Sequence, residues 1–203
     1  MGKPRLWKVL GDGRLSLVSG TEFTYPPRAW TKHLKPDELG LCSWGYHYCE
    51  GRQILEWLQE GLLCEVEPCP KHKPLRGEDK SVSCRLRVVA TFPLVARVLR
   101  LFACDCAERA LLRERKAGRE PDERSWEALR VAYLYAEGAA TRGELAAAGD
   151  AAWDAARDAA RDAAWDAAWD AAGTAAGTAA GAAAWDAERR WQYRQLLKLA
   201  GAL

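Results

Sequence analysis

The sequence is poor in the residues that mark common sites. It holds three His and one Met, and neither a phosphate-cradling Gly loop nor a nucleophile elbow occurs in it. No apolar run reaches the ~20 residues needed to span a bilayer. The N-terminal stretch MGKPRLWKVLGDGR lacks the continuous apolar core of a secretory signal, so a cytoplasmic protein is expected. A net charge of +2 implies neither a polyanion nor a membrane surface as partner. The seven Cys are an odd number, which without a signal peptide argues for reduced thiols over a disulfide framework.

What the chain has in quantity is Trp, ten in 203 residues, and a tetrad repeat, AAWDAARDAARDAAWDAAWDAAGTAAGTAAGAAAWDA, from Ala151 to Ala187. An α-helix turns every ~3.6 residues, so each tetrad advances its third position by ~40° around the axis. With Trp153 at zero, Arg157 and Arg161 fall at ~40° and ~80°, and Trp165 and Trp169 at ~120° and ~160°. Gly173, Gly177 and Gly181 follow at ~200° to ~280°, and Trp185 returns to ~320°. Different levels of such a helix bury different sides, which fits a helix wrapped by several neighbours. The three Gly read as close-packing positions in preference to a break, because no Pro, Asn or Asp joins them. Run straight from Arg142 to Leu199, the helix would measure about 85 Å. That exceeds a domain of this size, and a homo-oligomer is therefore expected. The Asp row at 154, 158, 162, 166 and 170 drifts with the same spiral and reads as a solvated face paired with Arg157 and Arg161.

The chain divides by grammar into a small α+β domain, 1–91, and an all-α domain, 92–203, carrying the Ala-rich repeat 149–187. In the first part, RLWKVL (5–10), a Gly-Asp-Gly turn and LSLV (15–18) predict a hairpin. Residues 21–40, with Pro26, Pro27 and Pro36, predict an irregular excursion. Ile54, Leu55, Trp57 and Leu58 share a helical face that stops at Gly61. LLCEVEP (62–68) and SVSCRLRVVATF (81–92) read as strands about a polar loop, giving a mostly antiparallel sheet. Pro93 suits a first helical turn. Helices then run to Gly118, from Pro121-Asp122 to Gly138, and from a Thr141/Glu144 capping box to about Leu199.

Chemistry concentrates in Cys42-Ser-Trp-Gly-Tyr-His47-Tyr-Cys49. Cys42, Cys49, Cys69 and His72 are the candidate ligands for zinc, the one cofactor considered, against a default of buried reduced thiols and no cofactor. His47 and Cys49, two apart on a strand, share a face, but nothing further builds a catalytic triad. Cys104 and Cys106, two apart on a helix, lie on different faces and read as packing residues. The aromatics and Arg suit either base stacking or a protein interface.

LCSWGYHYCEGRQILEWL, followed by LLCEVEP and GEDKSVSCRLRVV, resembles the N-terminal module of an uncharacterised family of phage and bacterial genomes. There a Gly-aromatic-His-x-Cys element precedes a helix and strands. RLFACDCAERAL, PDERSWEALRVAYLYAEG and the Ala-rich tail resemble that family's helical part, which is also similar to immunity proteins of bacterial toxin systems. The resemblance implies no established activity and transfers no catalytic residue.

The leading expectation is thus a non-enzymatic protein-binding factor, an immunity or phage counter-defence inhibitor that occludes a host or toxin protein. Trp153, Arg157, Arg161, Trp165 and Trp169 are its candidate contacts, with Gly173, Gly177 and Gly181 for helix packing. The alternative is a nucleotide- or nucleic-acid-binding protein in which Trp44, Tyr46, His47 and Tyr48, with Arg52 and Lys80, line a pocket. An ADP-ribosyltransferase-like site is a remote form of that alternative, for which no matching Glu can be assigned.

Overall fold

A computed structural model describes residues 4–11, 24–41, 43–167 and 175–203; for 156–167 and 175–182 it describes the backbone alone. The fold is α+β: a six-stranded antiparallel sheet in the N-terminal half, then helices. The strands are β1 (Leu6–Leu10), β2 (Tyr46–Glu50), β3 (Gly61–Pro68), β4 (Leu75–Arg76), β5 (Ser81–Ser83) and β6 (Leu86–Leu94). They lie in the order β4-β5-β2-β1-β3-β6. The helices are α1 (Ala96–Lys116), α2 (Glu123–Ala136), α3 (Arg142–Ala167) and α4 (Ala175–Leu199).

The chain forms two compact units. The first unites the sheet, up to Val95, with Gln192–Leu203; the second is Ala96–Trp191. Both faces of the sheet are covered within the first unit. Alternation along LWKVL puts Trp7 and Val9 on one face and Leu6, Lys8 and Leu10 on the other. Trp7 is fully buried against the edge of Phe92, and its indole N–H donates to the Tyr193 hydroxyl at 2.7 Å. Arg5 lies 4.4 Å over the Trp7 ring, pairs with both Glu65 oxygens and donates to the Ala202 carbonyl. Leu10, Tyr25, Tyr46, Tyr48, Cys64 and Val88 are among the buried residues that form the second core. The Pro-rich excursion is bound there: Thr31 N–H donates to the Leu86 carbonyl, and Leu86 N–H returns to Thr31 Oγ1, both at 2.9 Å.

Three expected elements change form. Residues 51–61 make only a short 3-10 helix over Gly51–Glu56, opened by a capping box between Glu50 and Gln53 and closed by Trp57 N–H on the Ile54 carbonyl, before β3 begins at Gly61. The strand expected over 81–92 is two strands. At the joint, the Cys84 carbonyl accepts Leu34 N–H and Ser83 Oγ accepts Cys69 N–H, so loop contacts replace the ladder. Pro93 does not open the helix but pairs with Leu62 near the end of β6. The missing N–H is tolerated because β6 is the last strand of the sheet order, and among the described residues its outer edge carries isolated bridges, Pro27↔Val88 and Trp30↔Arg87, and no ladder.

The helical unit follows its punctuation closely. Asp122 caps α2 by accepting Arg124 N–H at 2.8 Å, and Thr141 and Glu144 form the expected capping box. Gly118 and Gly138, with φ of 81° and 78°, end α1 and α2 in the left-handed conformation that L side chains resist. Between the helices, Glu188 is buried and accepts one hydrogen bond each from Arg109 and Arg113, at 2.8 Å; the Arg109 guanidinium also lies 4.5 Å from the Trp191 ring. No helix among the described residues is long and apolar enough to cross a membrane. Residues 168–174 lie outside the described residues, and with them the question whether α3 and α4 are one rod; Gly177 and Gly181 are on the α4 backbone.

Candidate ligand-binding site

Strands β1 and β2 pair only at Leu6↔Glu50 and Trp7↔Cys49, whereas β1 continues along β3 to Leu10↔Leu62. Where the two strands part, a cavity of about 130 Å³ opens, lined by Lys8 and Val9 of β1 and by His47, Tyr48 and Cys49 of β2. The 3-10 helix supplies Ile54, which is fully buried, and just beyond it stands Trp57. Leu41, Ser43, Gln59 and Lys80 complete the wall.

Where the strands part, the Lys8 ammonium donates to the His47 carbonyl at 3.0 Å. Lys8 also approaches the Tyr25 ring at 5.2 Å. No carboxylate pairs with Lys8 among the described residues. Burial accordingly lowers its pKa to about 8. Lys80 stands 4.5 Å over the Trp57 ring. The Asp79 carbonyl fixes this corner by accepting both the Trp57 indole N–H at 3.2 Å and the Cys49 thiol at 3.9 Å.

His47 Nε2 meets the Leu41 carbonyl at 2.6 Å, so that nitrogen carries the hydrogen. Burial lowers the His47 pKa, the Leu41 contact opposes this, and the positive Lys8 and Lys80 lower it further. Burial pushes the Cys49 thiol up to about 12, which keeps it protonated and unlike an activated nucleophile. None of the lining residues is a carboxylate. The lining residues include two lysines, a histidine, a serine, a glutamine and a cysteine beside Trp57, Tyr48 and several apolar side chains, and the Lys80 ammonium lies 4.0 Å from the Asp79 carboxylate.

No family model, curated protein or solved structure matches the chain.

The residues expected to form a binding site are distributed as follows. His47 and Tyr48 line the cavity together with Lys80, while Tyr46 and Tyr48 have their rings in the core. Trp44 is half exposed beside its bridge to Gly40, and Arg52 is partly buried; neither lines the cavity. Trp153 is exposed on α3. Arg157, Arg161 and Trp165 are on the α3 backbone, and Trp169 and Gly173 lie outside the described residues. Sequence reasoning missed Lys8 and Trp57. The signal for Lys8 was present in LWKVL, where alternation places a cation in phase with Leu6 and Leu10.

The proposed zinc set is not the one gathered. Cys42 lies outside the described residues, and Cys49 faces the cavity. Cys69 instead meets Cys84 and His33. The β3–β6 pairing and the return of the excursion bring those positions together, across separations that no local spacing encodes. Cys104 is buried on α1, as expected of a packing residue, and Cys106 is half-buried.

Proposed function

We propose that the protein binds a small anionic ligand in the cavity between β1 and β2. The observation that carries this reading is Lys8, a desolvated ammonium with no carboxylate partner among the described residues, lining a cavity that holds a second lysine and no carboxylate. A buried charge without a counter-charge is costly, and an incoming phosphate or carboxylate would supply the missing one. Size narrows the ligand. About 130 Å³ is room for roughly four waters, so the cavity suits an anionic headgroup with at most a small ring. A phosphate-bearing nucleotide end, with Trp57 at the mouth, remains compatible.

Calorimetric titration of inorganic phosphate, nucleoside phosphates and short carboxylates tests this. Binding by one anion class, lost at least ~10-fold in Lys8→Met and reduced in Lys80→Met, is expected. Absence of heat and of thermal stabilisation across the panel would refute the reading.

A second reading rests on Trp153 and Trp185, each 66 % exposed in the helical unit. Trp is a favoured anchor of protein interfaces, and two such side chains left in water support the expectation of a partner-occluding factor of the immunity type. Capture of one defined partner by the wild type, lost in Trp153→Ala or Trp185→Ala, is its test.

A further inference from the structure

We propose that His33, Cys69, Cys84 and His72 form a zinc site. The ligand atoms of His33, Cys69 and Cys84 all lie within 4.8 Å of one another, and Cys84 Sγ is 3.7 Å from His33 Nε2. Tetrahedral zinc, with bonds of ~2.3 Å to sulfur and ~2.0 Å to nitrogen, holds such a pair about 3.6 Å apart. The His33 and His72 rings stand 5.5 Å apart between centroids, at 55°. Two imidazoles on one tetrahedral ion are separated by roughly 5 Å between centroids. His72 follows Cys69 at the x2 spacing of a metal knuckle, and its ring, beside that of His33, is the candidate for the fourth position.

The donors come from three segments whose backbones are already tied together. Cys69 N–H donates to the Arg85 carbonyl at 2.9 Å and approaches Ser83 Oγ at 3.1 Å, and Leu34 N–H donates to the Cys84 carbonyl at 2.9 Å. The ion would find its cage largely assembled. The two thiols are buried while His33 and His72 are exposed, so metal enters from the solvent side and the imidazoles close over it. Two thiolates and two imidazoles favour zinc over magnesium or calcium, which prefer oxygen donors. Two thiolates also neutralise the dication, so the site needs no further counter-charge. Closed by four protein ligands, it is a structural clamp that fixes the Pro-rich excursion onto the β3 and β5–β6 ends.

Full-length protein, purified in reductant without chelator, is to be analysed for metal, then stripped and titrated with cobalt. One zinc per chain, and cobalt spectra with tetrahedral ligand-field bands and thiolate charge transfer, are expected. Cys84→Ser and His72→Ala each lower zinc affinity on the order of 100-fold or more in competition with a chromophoric chelator. Cys49→Ser, outside the cluster, leaves it unchanged. Should Cys84→Ser fail to fold, the cobalt spectrum of the wild type decides alone. A reduced wild type that takes up no cobalt overturns the proposal. So does a Cys69–Cys84 disulfide with no metal uptake after reduction, or metal loss in Cys49→Ser equal to that in Cys84→Ser.

Discussion

Lys8 carries the most information per side chain. Its folded pKa of about 8 lies below the ordinary lysine value near 10.4. Between those values the unfolded chain keeps a proton that the folded chain has released, so this residue's effect on stability rises with pH across that window and is fully unfavourable below about 8. Cys49 acts in the opposite sense. Its folded value of about 12 lies above the free-thiol range near 8.5, so its contribution falls as pH rises past about 9. In a Cys49→Ser background, the urea-unfolding stability of the Lys8 form relative to Lys8→Met is expected to climb from pH 8 to 10. A flat difference would mean that the ammonium is not desolvated. Anion affinity should move the other way and weaken above pH 8, as Lys8 loses the charge that the ligand needs. Tyr193→Phe removes the hydroxyl that accepts the buried Trp7 indole N–H, and should cost about 1 to 3 kcal/mol in denaturant unfolding.

At the scale of elements, helix ends and helix pairing give separable predictions. A Cβ at Gly118 or Gly138 would meet nothing within 4 Å, so Gly→Ala at either tests backbone conformation alone. Each substitution should destabilise the helical unit by about 1 kcal/mol, read from the thermal midpoint. Glu188→Ala leaves the Arg109 and Arg113 guanidinium groups without their shared acceptor and should cost about 2 kcal/mol, with Glu188→Gln milder. These ends were legible because a cap is a local transaction: Asp122, Thr141 and the two Gly act within one turn of their positions. The form of residues 51–61 was not. The pattern of Ile54, Leu55, Trp57 and Leu58 is helical, but the helix closes at Trp57, whose indole N–H is held by the Asp79 carbonyl that only the folded loop brings within reach.

For the whole molecule, the return of the chain's end to the sheet matters most. Gln192–Leu203 belongs to the sheet unit, where Leu196 and Leu197 are buried and the Ala202 carbonyl takes a bond from Arg5. A fragment ending at Val95 lacks these apolar contacts and the hydroxyl partner of Trp7. Its amide resonances should be poorly dispersed, and adding the peptide 192–203 should restore dispersion if the tail alone is what is missing. Light scattering of the full chain at micromolar concentration addresses the expected self-association, and a monomeric mass would remove the homo-oligomer from the account.

Alternation and capping are short-range, and the sequence by itself determined what depends on them: the α+β class, the strands at 6–10 and 62–68, and the helix boundaries near 118, 122, 138 and 141. Tertiary structure decided what depends on meeting. The parting of β1 from β2 makes the cavity. The folding-back of residues 24–41 brings His33 to Cys69 and Cys84. The docking of the last helical turns covers Trp7. The physical reason is one of distance along the chain: residues 51 positions apart, such as His33 and Cys84, exert no mutual bias on local conformation, and become neighbours only when burial and the β ladder fix both at once.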